Sequence, residues 1–209
     1  MKKLRQRIRL TFRRGAVAVL VIALLNGCAV VALGTIVVTG SAVHDRRSID
    51  TVVDDQLLNV AVRDALYGTD AFGNESRIKI SIFNGWVLLA GEVGSQEKVD
   101  EATQLVSSVE GVQKLFNELV GEPPIGFRQS SRDRVLGIQA KAAVSNIRDL
   151  EKFDASRVRV TTTRGVIYLQ GLVTSEESER VAAEVRGVRG AEKIVLLFEL
   201  IDPPKSAAN

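Results

Sequence analysis

"RIKISIFNGWVLLAGEVGSQEK", Arg77–Lys98, is followed 80 residues later by "RVRVTTTRGVIYLQGLVTSEES", Arg157–Ser178. The two align without a gap. Arg77 matches Arg157, Gly85 matches Gly165, Leu89 matches Leu169, Gly91 matches Gly171 and Glu97 matches Glu177. Further on the spacing becomes 79, and Val106, Gly111 and Lys114 match Val185, Gly190 and Lys193. Self-similarity of this kind marks one supersecondary unit used twice.

Each copy reads the same way. Ile78, Ile80 and Ile82 alternate with polar residues, the period of a half-buried strand. Asn84-Gly85 is a hairpin turn, because both residue types tolerate positive φ, and Arg164-Gly165 takes its place in the second copy. Trp86–Ala90 is the return strand. Gly91 and Gly171 interrupt strands at matching points, which predicts a bulge or a close backbone contact. Ser95 or Ser175 can cap the helix that follows, and Thr174-Ser175-Glu176-Glu177 contains a T-x-x-E capping box. That helix carries Val99, Ala102, Val106 and Val109 at helical spacing in the first copy. A last strand covers Gln113–Val120 or Lys193–Leu200.

A further helix precedes each hairpin. Asp54-Asp55 is expected to open the first, with Leu58, Val62, Ala65 and Leu66 on one face. Ser131 or Asp133 is expected to open the second, with Leu136, Ala140, Ala143 and Ile147. The unit is α-β-β-α-β. Its hairpin is antiparallel and its β-α-β crossover makes the outer strand parallel. The fold class is α+β: two tandem units, each a three-stranded mixed sheet with two helices on one face. "GEPPIGFRQSS", Gly121–Ser131, joins them, and its prolines and glycines mark a linker.

The N-terminus is of another kind. "AVAVLVIALLNGCAVVALGTIVVTG", Ala16–Gly40, is nearly all apolar and holds the single cysteine of the chain, Cys28. A cationic stretch, a short apolar core and then small residues form a secretory signal pattern. Leu25-Asn26-Gly27-Cys28 resembles a bacterial lipobox. That resemblance implies cleavage before Cys28 and lipidation of its thiol, and two or more acyl chains give a stable anchor. Ala29, in place of an Asp after the lipidated Cys, implies sorting to the outer membrane. The alternative is an uncleaved span from Gly15 to about Val43, held by the positive-inside rule, which would make an inner-membrane protein.

The expected organisation is therefore a signal peptide over 1–27, a lipidated tether over 28–50, a first unit over 51–120 and a linker over 121–130. A second unit over 131–201 and a tail over 202–209 complete it.

The formal charge of +3 and the pI near 9.2 suggest a nucleic-acid partner at first sight. The first 27 residues hold seven cations and no acid, so a chain that starts at Cys28 has net charge −4. Few aromatic residues are available to stack on bases, and nucleic-acid binding is not expected.

The doubled unit with its central G-x-V/I-x-L-x-G pattern, Gly85–Gly91 and Gly165–Gly171, resembles the BON domain. With the lipobox, the segment "DRRSIDTVVDD" (Asp45–Asp55) and the "PIG" of Pro124–Gly126, the chain resembles the dual-BON outer-membrane lipoprotein family (DolP-like) over residues 20 to 201 or so. The resemblance implies a periplasm-facing outer-membrane lipoprotein. It would contact anionic phospholipid, support envelope integrity and outer-membrane protein assembly, and be recruited to division sites. Val135 stands where that family carries a tryptophan near the start of the second unit's first helix, so an aromatic anchor is expected to be absent.

Charge points to the same helix independently. Residues 54–120 hold five basic and eleven acidic residues, net −6, whereas residues 131–201 hold twelve and ten, net +2. Arg132, Arg134, Val135, Leu136, Ile138 and Lys141 are the candidate lipid contacts, a basic helix with apolar residues suited to an anionic surface. The competing reading makes those cations a solvated face and the apolar residues core, and a protein–protein adaptor with this helix on an acidic partner is the alternative function. Catalysis is not expected. His44 is the sole histidine, so neither a His-based triad nor a metal cluster can be assembled. Asp54-Asp55 reads as capping rather than an acid/base pair. Gly85, Gly91, Gly165 and Gly171 read as turn and bulge glycines and form no phosphate loop, and no metal or cofactor is expected.

Overall fold

The computed structural model describes residues 46–203, except 69, 74, 151 and 152. The leader, Cys28, His44 and most of the tether lie outside the described residues.

The first unit runs α1 (Ile49–Tyr67), a 3-10 turn (Asp70–Phe72), β1 (Arg77–Phe83), β2 (Trp86–Glu92), α2 (Gln96–Ser107) and β3 (Lys114–Val120). The second repeats it with α3 (Phe127–Ser145), a 3-10 turn (Ala155–Arg157), β4 (Val158–Thr163), β5 (Val166–Val173), α4 (Ser175–Arg186) and β6 (Lys193–Leu200). Each sheet has its hairpin return strand in the centre, in the orders β1-β2-β3 and β4-β5-β6. The hairpins are antiparallel and the crossover strands parallel, as the sequence predicts.

The turns fold for the expected reason. Asn84 and Gly85 have φ of 52° and 71°, and Arg164 and Gly165 have 52° and 74°. Two consecutive positive φ values give the hairpin turn whose twist matches the strands. The strand glycines are contact glycines and no bulge is present, because the β1–β2 and β4–β5 registers run through them unbroken. A Cβ on Gly91 would lie 2.0 Å from the Arg77 carbonyl oxygen, and one on Gly171 would lie 2.4 Å from that of Arg157. Thr174 and Glu177 form the expected reciprocal capping box on α4, and Ser95 caps α2.

Two differences concern the first helices. α1 starts at Ile49 with Ser48 as its cap, so residues 46–50 belong to the folded body rather than to the tether. α3 starts at Phe127 after Gly126, so the linker stops at residue 126. Neither Asp55 nor Asp133 opens a helix; both sit in the second turn or beyond, and both are buried.

Each unit closes a core between its helices and one sheet face. Leu58, Val62 and Leu66 of α1 meet Ile82, Val87 and Leu89 in the first. Leu136, Ala140 and Val144 of α3 meet Ile167 and Leu169 in the second. The other sheet faces pack against each other. Leu88 and Ala90 of β2 meet Tyr168 of β5 and Leu197 of β6, with Phe116 and Val195 at the margin. The layers therefore run helices, sheet, sheet, helices. The central strands are buried on both faces, which explains why "WVLLA" and "VIYL" read as continuous apolar runs rather than alternating ones.

Candidate functional site

The position of α3 is set by one buried carboxylate. Asp133 is 1% exposed and accepts the backbone amides of Arg164 and Gly165, each at 2.9 Å. Those two amides point out of a tight turn and have no strand partner, so a carboxylate on the adjacent helix satisfies both. Gln129 adds a third donor at 3.2 Å. Thr162 Oγ1 donates to the Asp133 carbonyl at 2.8 Å. Gly137 lets the helix come this close, since a Cβ there would lie 2.9 Å from the Thr162 hydroxyl.

With its inner face fixed, α3 turns a different set of side chains outward. Phe127 is 86% exposed, Val135 53% and Ile138 63%. Spacings of eight and eleven residues return to one helix face, so the three form a single apolar stripe. Arg128, Arg132, Arg134 and Lys141 are exposed around it. Leu136 does not join them. At 4% exposure it is a core residue of the second unit, because it falls on the opposite side of the helix; the expectation of a lipid contact there is corrected. Position 135 is not aromatic, as expected from the sequence, but an aromatic side chain is exposed on this helix, since Phe127 begins it rather than lying in the linker. Beside the stripe runs a groove of about 870 Å³, with Arg128, Arg132 and Arg189 on its walls and Phe127, Val135 and Leu136 on its apolar side.

The first unit builds the same scaffold with different charges. Asp55 accepts from the amides of Asn84 and Gly85, each at 2.8 Å. It also pairs with Arg47 at 2.5 Å, and the Arg47 guanidinium lies 4.0 Å from the Phe83 ring centre. Asp133 lies 78 residues after Asp55, and at this spacing the outer faces match residue for residue: Ile49 with Phe127, Leu57 with Val135, Val60 with Ile138, Asp54 with Arg132.

Polar ties cross between the units. Arg46 bonds Glu177 at 2.6 and 2.9 Å and the Leu172 carbonyl at 3.0 Å. Burial alone would raise the Glu177 pKa, but the Arg46 guanidinium, the Thr174 amide and Arg157 hold it below the usual carboxylate range. Glu92 is the opposite case. It is fully buried, neither carboxylate oxygen has a hydrogen bond of normal geometry, and its ion-pair partner is Arg164 at 3.8 Å. Burial pushes its pKa up against the weaker pulls of the Ile125 amide and Arg164.

The turn-clamping role of Asp55 and Asp133 escapes the sequence reading, although one signal was present. Both are acids inside an apolar helix face, at equivalent positions, and each is followed about 30 residues later by its turn.

Against known proteins, the model of the BON domain matches residues 54–123 and again 139–201. The chain is 32% identical to "Outer membrane lipoprotein DolP" of Haemophilus influenzae over 85% of its own length and 91% of the relative's. It is 29% identical to "21 kDa hemolysin" of Actinobacillus pleuropneumoniae over 75% of this chain and 79% of that one. With two matched domains and a relative of this identity covered almost end to end, the chain belongs to the DolP-like family of dual-BON-domain proteins.

Proposed function

We propose that the chain is a non-enzymatic envelope lipoprotein, anchored through acylated Cys28 on the periplasmic side of the outer membrane, that reads anionic phospholipid with the outer face of α3. The observation that carries this is the stripe of Phe127, Val135 and Ile138, each more than half exposed, framed by four cations on one helix. Three large apolar side chains in water are unfavourable, and a bilayer interface takes them up while its headgroups attract the cations. Each cation near an anionic surface contributes about 1 kcal/mol. The 32% identical relative is an outer membrane lipoprotein by name, which supports the anchor and its location. Among the described residues no helix is long and apolar enough to cross a membrane. Support of envelope integrity and outer-membrane protein assembly is the role that the family resemblance implies for such a module.

The test is vesicle flotation of residues 46–203. Both units stay together in it, because separating them would uncover Leu88, Ala90 and Tyr168. Binding to phosphatidylglycerol vesicles that weakens with salt, and little binding to phosphatidylcholine, is the expected result. Equal binding to both lipids, or none to phosphatidylglycerol at low salt, would overturn the proposal.

A further inference from the structure

Among the described residues, nothing covers the outer face of α1. Ile49 is 62% exposed, Leu57 64%, Val60 66% and Tyr67 41%. They share one helix face by the same spacing that aligns Phe127, Val135 and Ile138 on α3. Exposed aliphatic side chains grouped in this way mark an interaction surface. The exposed charges of α1 are Asp50, Asp54 and Asp64 against Arg63, and exposed Glu110 stands beside it, so the face is negative on balance. A face that is negative on balance suits an apolar and basic protein surface better than an anionic bilayer.

This chain carries such a surface. A groove of about 700 Å³ beside α1 is lined by Asp54, Leu57, Asn84, Gly85 and Glu110. Its counterpart beside α3 is lined by Arg132, Val135, Gly165 and Arg189. Leu57 and Leu58 are matched by Val135 and Leu136, and the acids at 54 and 110 by arginines at 132 and 189, while Gln113 is matched by the acid Glu192. The leucine wall is repeated and the balance of exposed charge changes sign.

We infer that the acidic apolar face of α1 in one copy docks the basic apolar face of α3 in a second copy. The two faces lie on opposite outer layers of the body. A contact between unlike surfaces that point apart is heterologous and extends head to tail instead of closing into a two-fold dimer. Each helix is about 28 Å long at 1.5 Å per residue, and two crossed helices bury less than the roughly 1,200 Å² of a stable complex. The association is therefore weak in dilute solution. It gains where copies are held on one surface, since tethering raises effective concentration. Because it uses the face of α3 assigned above to lipid, a copy docked there is released by anionic vesicles. Self-association without membrane needs only the two faces and does not depend on the lipid reading.

Sedimentation velocity of residues 46–203 over a wide concentration range tests this. The expected result is a weight-average sedimentation coefficient that rises with concentration and falls with salt. Leu57→Ser with Val60→Ser disables the α1 face, and Val135→Ser with Ile138→Ser disables the α3 face. All four residues are exposed, and unchanged thermal melts verify the fold. Each variant alone stays monomeric, and a mixture of the two forms a one-to-one pair that does not grow. Asp54→Lys with Glu110→Lys abolishes association of the otherwise unaltered chain, and adding Arg132→Glu with Arg189→Glu restores it. A concentration-independent monomer at low salt would overturn the inference. So would association of the α1-face variant by itself, or failure of the mixture to pair.

Discussion

Asp133 on α3 accepts the amide of Gly165 at 2.9 Å across a turn of another element, and this bond sets how the candidate lipid-binding helix lies on its sheet. Removing the carboxylate strands the amides of both Arg164 and Gly165 in a buried place. Loss of such partners costs about 1–3 kcal/mol. Asp133→Ala should therefore lower stability by that amount in chemical denaturation. Asp133→Asn, which keeps one acceptor, should lose less.

The outer face of α3 should respond differently, with binding lost and stability kept. Arg132→Gln with Arg134→Gln should weaken the partition into phosphatidylglycerol vesicles by about 2 kcal/mol, roughly thirtyfold. Phe127→Ser should weaken it too, and more visibly at high salt, where screening leaves the apolar contribution dominant. Flotation across a salt series separates the two effects, and an unchanged melting curve verifies the fold.

Glu92 should make the body less stable as pH rises. Its folded pKa lies above the unfolded value, so the protonated form is favoured in the fold and the associated stability is lost as pH rises through that raised pKa. Glu92→Gln should flatten this dependence and raise Tm at neutral pH by a few degrees, with little change in acid. Paired melts of the two proteins from acid to neutral pH check it.

Glu177 should act with the opposite sign. Its folded pKa is lowered, so its contribution is present above the unfolded carboxylate pKa and is lost as pH falls through the folded one. Arg46→Ala should destabilise the body at neutral pH by about 1.5–3 kcal/mol, the range for hydrogen bonds to charged groups. The difference should shrink in acid. Hydrogen exchange at residues 46–50 should rise in the variant.

Gly91 and Gly171 offer a graded comparison. Gly91→Ala meets the Arg77 carbonyl at 2.0 Å and a φ of +133°, so strain and clash add. Gly171→Ala meets the Arg157 carbonyl at 2.4 Å without a positive φ. Both should be poorly folded, and Gly91→Ala should be the worse by soluble yield and Tm.

The parts of the fold legible in sequence were those with local causes. Alternating isoleucines, Asn84-Gly85 and the Thr174–Glu177 box each act within a few residues, and the structure has them where expected. The start of α3 was hidden because Gly126 caps it without a side chain, and two prolines before it read as linker. That misplacement concealed the exposed Phe127 in the first turn of the helix. In sequence Leu136 fits both core and surface, and the helix phase that buries Asp133 separates those roles. Sheet-on-sheet packing left its trace in the continuous apolar runs of β2 and β5. Alternation on β1 alone suggested one solvated face, and the burial of Ser81 shows that face covered.

The most direct measurement places a fluorescent reporter on each of the two matching faces. Ile138→Trp and Val60→Trp stand at equivalent positions of α3 and α1, against a constant background from Trp86, the one tryptophan of the chain. With brominated phosphatidylglycerol vesicles, the Ile138→Trp emission should shift to the blue and be quenched, and the Val60→Trp emission should do neither. Equal quenching at both positions, or quenching at position 60 alone, would contradict lipid recognition by α3.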